Sequence, residues 1–254
     1  MKSYTIWQSG EHRWLAFAQD PDQPGNIIDT NQLLVVGEDA AMLLDPGGVE
    51  LFPSMMAAVT QEIGIGRVKH LFLSHQDPDV SSALPLWRQV CGADLAVHVS
   101  WMWEGFVSHF DRDARFHALP DAGAEITLSR GVHLRILPAH YLHSPGNFCV
   151  YDPKAKVMFS GDIGAALVPK ERVTGIFVEN FDEHVAYMDA FHRRWLGASE
   201  ARDRWVAMVR RLDIDILAPQ HGLFFRGADV GRFLDWLEAL PLGSGLAAFD
   251  QVSV

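Results

Sequence analysis

Four times in this 254-residue chain, a short apolar run stops at a turn carrying a histidine or an aspartate. The run Val68-Lys69-His70-Leu71-Phe72-Leu73-Ser74 delivers His75, with Gln76-Asp77-Pro78-Asp79 directly behind it. Residues 132–137 lead to His140 and then to Leu142-His143-Ser144-Pro145-Gly146-Asn147. Residues 157–159 run into Ser160-Gly161-Asp162, and Ile214-Asp215-Ile216-Leu217-Ala218 runs into Pro219-Gln220-His221-Gly222. Apolar runs of this length read as buried strands of an α/β sheet, and ligands gather beyond the carboxyl ends of such strands. Turns rich in Gly or Pro at such strand ends let the backbone aim side chains at one point while the strands behind stay rigid.

The rest of the chain supplies the layers around those strands. Residues 32–36 and 41–45 flank the turn Gly37-Glu38-Asp39 as a hairpin, and the second strand ends in Asp45-Pro46-Gly47-Gly48. A helix is expected around residues 55–63, followed by a helix-then-strand step at 84–90 and 95–99 and a polar, aromatic-rich stretch at 101–116. Further strands are expected at 125–128 and 148–151. Three apolar stripes at helical spacing predict three helices in the last third: Val185, Met188, Phe191 and Trp195; Trp205, Met208, Val209 and Leu212; Val230, Phe233, Leu234 and Leu237. The length suits one domain over residues 1–242, with 243–254 as a loosely held tail.

The residues at the four turns are chemically coherent. His75, Asp77, Asp79, His143, Asp162 and His221 form a set of imidazoles and carboxylates suited to iron, zinc or manganese. Six donors are too many for one tetrahedral ion and suit two ions sharing a bridging carboxylate. A lone histidine is more often a satisfied core or surface residue, and His12, His98, His109, His117, His133, His184 and His192 are read that way. An aspartate after a strand is more often a turn former or helix cap. His75-x-Asp77-x-Asp79 is different, because two carboxylates beside one imidazole repel unless something positive lies between them. His140 is read as a support behind the metal ligands or a surface residue, and Tyr141 as a pocket hydroxyl donor or simple packing. Trp101-Met102-Trp103 lines the entrance or, the better reading, forms core.

Composition narrows the partners. Lys and Arg number 21 against 32 Asp and Glu, a net charge of −11, so nucleic acid and anionic membrane are repelled. No run approaches the length of a membrane span, and the first ten residues lack the apolar core of a signal peptide. The two cysteines, Cys91 and Cys149, have no CxxC spacing; Cys149 reads as a small buried hydrophobe. A cytoplasmic protein is expected.

In the order and context of its four motifs, the chain resembles the metallo-β-lactamase superfold from roughly Asn31 to Phe225. The resemblance implies an αββα sandwich of two mixed sheets flanked by helices, with metals at the rim between the sheets. It places His75, Asp77 and His143 on a first metal, Asp79 and His221 on a second, and Asp162 as the bridge. Hydrolases of this fold usually carry histidine where Asp77 and Val80 stand. A carboxylate at the first position is similar to the flavodiiron proteins and to the oxygen-binding diiron proteins, which have His-x-Glu-x-Asp where this chain has aspartate.

This branch implies a non-haem diiron protein that binds or reduces O2 or NO, as sensor or oxidoreductase. No Gly/Ser/Thr-rich phosphate loop of a flavin domain follows His221, so a reductase needs a separate electron donor, and a homodimer is expected by analogy. The alternative is a metal-dependent hydrolase acting on an ester, thioester, lactone or phosphoester as its small-molecule substrate. A third reading is a remnant of the fold without strong metal binding.

Overall fold

The computed structural model describes residues 1–20 and 27–252. Its first sheet has seven strands in sequence order: β1 (Lys2–Ser9), β2 (His12–Ala18), β3 (Gln32–Val36), β4 (Ala41–Leu44), β5 (Val68–Phe72), β6 (Ala96–Ser100) and β7 (Arg115–Leu119). β1 to β4 are antiparallel, and β4 to β7 are parallel. The parallel half needs crossovers, supplied by α1 (Phe52–Ile63), the short α2 (Pro78–Ser81) and α3 (Leu84–Cys91), with α4 (Glu104–Val107) before β7. The 101–116 stretch thus contains a helical turn and the start of a strand, hidden by polar and aromatic residues without a clean period.

The second sheet has six strands, ordered β13-β12-β11-β10-β9-β8: β8 (Ala124–Ser129), β9 (Val132–Pro138), β10 (Phe148–Asp152), β11 (Val157–Gly161), β12 (Ile216–Pro219) and β13 (Phe225–Arg226). Among the described residues of this sheet, β11 and β12 pair in parallel and the other neighbours are antiparallel. The helices α5 (Phe181–Trp195), α6 (Ser199–Val209) and α7 (Ala228–Ala239) cover its outer face. Both sheets are mixed and both are flanked by helices, as expected.

The apolar runs are continuous because each face of a central strand is buried. In β3, Leu33 and Val35 join the core between the sheets, while Leu34 and Val36 join the core beneath α1 and α3. In β10, Phe148 and Val150 point inward, and Cys149 and Tyr151 pack under α5 to α7. Cys149 is a buried hydrophobe, as read from its neighbours.

α7 buries the predicted stripe of Val230, Phe233, Leu234 and Leu237. α5 does not: its buried face is Phe181, His184, Met188 and His192, and Trp195 is 49% exposed. Two histidines take inward positions that a count of apolar residues misses. His192 is fully satisfied there, donating to the Met188 carbonyl (2.8 Å) and accepting from the Gly164 amide (2.9 Å). From Gly243 the chain turns as a 3-10 helix over Ser244–Gln251, with Leu246 and Phe249 exposed. Residues 253–254 of the expected tail lie outside the described residues.

Candidate metal centre

All six residues come to the rim between the sheets. The loop after β5 carries His75 and Asp77, and α2, which follows at once, carries Asp79. The loop after β9 carries His143, the loop after β11 Asp162, and the loop after β12 His221. Asp77 Oδ2 lies 2.9 Å from His143 Nε2 and 3.4 Å from His75 Nε2. Asp79 Oδ2 lies 3.4 Å from His221 Nε2. Asp162 stands between the two groups, with Oδ2 3.6 Å from His143 Nε2 and Oδ1 3.4 Å from His221 Nε2. Among the described residues, His75, His143 and Asp162 form a set whose ligand atoms all lie within 4.8 Å of one another.

The loops are held rigidly. His143 and Tyr141 adopt φ of +77° and +65°, a left-handed backbone costing roughly 1–2 kcal/mol per residue. Bonds from Tyr141 N to the Ser144 carbonyl (2.9 Å), from Leu142 N to the Ala139 carbonyl (3.1 Å) and from Asn147 Nδ2 to the Leu142 carbonyl (2.9 Å) offset that strain. Behind His221, Gly222 has φ +83°, and a Cβ there would meet the Ala166 carbonyl at 2.6 Å. Only glycine fits both constraints.

Two histidines are oriented from behind. Ser74 Oγ donates to Asp45 Oδ2 (2.5 Å), so Nδ1 of His75 donates to Ser74 Oγ (2.9 Å) and Nε2 faces the rim. Nδ1 of His221 donates to the Asp29 carbonyl (2.9 Å), again presenting Nε2. Gln220 Nε2 donates to Asp79 Oδ2 at 3.2 Å. These supports were not foreseen. Asp45 had a local signal, since it too ends an apolar strand at a Gly/Pro turn; the Asp29 carbonyl had none.

Burial opposes the charged form of His75 and of His221, yet the surrounding carboxylates, Asp162 foremost, outweigh it and raise both to about 9. Burial likewise works to raise Asp77 and Asp162, and the nearby imidazoles pull both well below the ordinary carboxylate range. For Asp79 burial wins and its pKa rises, although His221 opposes it. Asp45, fully buried, is pushed up to about 7.

The donor set fits a metal pair. Asp162 Oδ1 is buried, makes no well-formed hydrogen bond and faces only His221 Nε2 at the longer ion-pair distance of 3.4 Å. A cation there would take up the oxygen's unused acceptor capacity.

Of the neighbours, His140 donates from Nε2 to the Asp121 carbonyl (2.8 Å) with its ring edge-on to Phe148, and Tyr141 is 60% exposed. Trp101 is 53% exposed and bonded to Asp121, so it is not core. Half-buried Trp103 packs against the core beneath α1 and α3, as expected, and also reaches the His143 loop, donating to Ser144 Oγ at 3.1 Å. Phe191, from α5, lies 6.4 Å from the His143 ring and adds an apolar wall.

A family model described as ODP family beta lactamase matches residues 28–222. The apo state of the chemotaxis sensor ODP from T. denticola is 32% identical, aligns over 98% of each chain and superposes with a TM-score of 0.87. A structure described as the peroxy diiron species of chemotaxis sensor ODP is also 32% identical, covering 98% of this chain and 99% of that one at a TM-score of 0.86. A flavo di-iron protein mutant from Thermotoga maritima is 18% identical over 93% of this chain and 61% of that one, with a TM-score of 0.78, a likeness of fold alone. An uncharacterized protein of Methanocaldococcus jannaschii is 21% identical over 215 residues, 83% of this chain and 54% of that protein. The chain therefore spans about half the length of this curated relative. The sandwich is the metallo-β-lactamase fold shared by these cores.

Proposed function

The chain belongs to the ODP family of beta lactamase-fold proteins, and on that premise we propose that it holds two iron ions and binds a small diatomic molecule, O2 or NO. His75, Asp77 and His143 hold one ion, Asp79 and His221 hold the other, and Asp162 is shared. The observation that carries the reading is Asp77, whose carboxylate lies against two imidazoles at the rim. A carboxylate at this place adds negative charge and a harder donor than imidazole, favouring iron or manganese over zinc. Iron pairs supply reversible electron transfer and open positions for a diatomic ligand.

The chain's own residues do the rest. Ser74 and the Asp29 carbonyl hold the His75 and His221 rings with Nε2 forward, and such outer contacts raise the basicity of a histidine donor. Val80 is fully buried in the core beneath α1 and α3 and offers no donor, which leaves room beside Asp79 and His221.

The likeness to a chemotaxis sensor supports sensing over turnover. Reduction of the diatomic would require a separate electron donor, and a homodimer is the assembly by which a second copy would approach the rim. Among the described residues no helix is long and apolar enough to cross a membrane, and a cytoplasmic location accords with this reading. Residues 1–242 act as one domain. The hydrolase reading is not favoured, because its expected histidines are replaced by Asp77 and Val80.

The test is anaerobic reconstitution with Fe(II). Two irons per chain and a new near-ultraviolet absorption band on exposure to O2 are expected. A colourless, zinc-filled protein that hydrolyses esters without reductant would sink the proposal.

A further inference from the structure

Asp77 stands where a helix is ordinarily capped. It precedes α2 with φ −65° and ψ 152°, and an aspartate there usually accepts from a backbone N–H two or three residues on. Its carboxylate makes no such bond. Oδ1 instead accepts from Gln76 Nε2 at 2.9 Å, and Oδ2 faces His143 and His75.

Hydrogen-bond polarity shows what selects this arrangement. An indole N–H can only donate. Trp103 Nε1 donates to Ser144 Oγ at 3.1 Å, so the Ser144 hydroxyl is free to donate onward. It does so to Gln76 Oε1 at 2.8 Å, which fixes the amide with Nε2 toward Asp77. A donor-only group at one end and a carboxylate at the other leave each member one orientation. The approach is also built sterically: a Cβ at Gly146 would fall 2.7 Å from Trp103 Nε1 and 2.8 Å from Ser100 Oγ, so only glycine admits the indole edge.

We propose that Trp103, Ser144 and Gln76 form a positioning relay that holds the Asp77 carboxylate off its helix and aims it into the metal centre. The relay rests on the dinuclear reading above. It also ties the loop bearing Asp77 to the loop bearing His143, since Ser144 is the neighbour of His143. Aspartate has a short reach, and a shift near ~1 Å already removes an oxygen from bonding distance. Asp77 therefore depends on being held.

The test titrates the full-length, metal-free protein anaerobically with Co(II), reading visible absorption for coordination and elemental analysis for stoichiometry. The unaltered protein is expected to take two ions. Gln76→Glu keeps size but places an acceptor against Asp77, and should weaken one ion by about 10–100-fold while the other stays bound. Trp103→Phe keeps the ring and drops the N–H, and should weaken the same ion by less. Ser144→Ala should behave like Gln76→Glu, whereas Ser144→Thr, which retains the hydroxyl, should restore binding. Unchanged binding in Gln76→Glu and Trp103→Phe would overturn the relay and leave the dinuclear reading intact. Equal losses in Ser144→Thr and Ser144→Ala would overturn it as well, assigning the effect to packing. Failure of the unaltered protein to bind Co(II) would remove the dinuclear reading, and the relay with it. Should Gln76→Glu fail to fold, as judged by circular dichroism, Trp103→Phe decides the matter.

Discussion

At the scale of single residues, Asp162 and His140 make an informative pair. Both follow strands of the second sheet, yet Asp162 faces the His143 and His221 rings at 3.6 and 3.4 Å, whereas His140 Nε2 bonds the Asp121 carbonyl. Asp162→Ala removes the carboxylate that both halves of the site share, so the variant should retain well under one iron per chain after anaerobic loading. His140→Ala should retain two. Elemental analysis of both proteins settles the comparison, and full metal content in Asp162→Ala would refute a shared carboxylate. The six rim residues were legible because each sits in a local context, an apolar run ending in a Gly- or Pro-containing turn. Their supports were not, because a bond such as His221 to the Asp29 carbonyl joins residues 192 apart and leaves no local pattern.

At the scale of elements, strands were legible wherever both faces are buried and apolar, as in β3, β4, β10 and β11. β5 and β6 were legible too, although each carries a histidine, whereas β7, with mostly exposed positions, was not. On β5, β6 and β7, His70, His98 and His117 lie side by side, with His70 Nδ1 3.0 Å from His98 Nε2 and successive ring centroids 5.3 and 5.1 Å apart. Burial first, then the neighbouring imidazoles, lowers the pKa of His98 to about 3 from an ordinary 6.5. The unfolded chain therefore binds a proton that the folded chain refuses. This residue's contribution to stability is intact above pH 6.5 and drains away as pH falls toward about 3, at about 1.4 kcal/mol per pH unit at most. Replacing the group should flatten that loss. Urea midpoints of the metal-free protein and of His98→Asn, compared between pH 7 and 5, should fall less in the variant even where it is less stable at pH 7. Parallel falls would count against a neutral, buried His98.

At the scale of the whole molecule, the two sheets are clasped by their inner faces. Phe72 and Phe159 meet edge to face at 6.5 Å and 84°, one from each sheet and both fully buried. Phe159→Ala would lose that contact and leave a cavity, costing about 3–5 kcal/mol in a urea or thermal unfolding experiment. A loss below about 1 kcal/mol would mean that the sheets close over the gap. That the donors gather at strand ends was legible from the residues, whereas the sandwich and the rim between its sheets came from the resemblance of the four motifs in order. The face that α5 buries, which includes His184 and His192, was not legible, because hydropathy counts a buried histidine as polar. The rim itself draws His75, Asp77 and Asp79 from one sheet and His143, Asp162 and His221 from the other. Because the donors come three from each sheet, a group held by all six would tie the two sheets together along their shared edge, a cross-link added to the apolar contact of their inner faces.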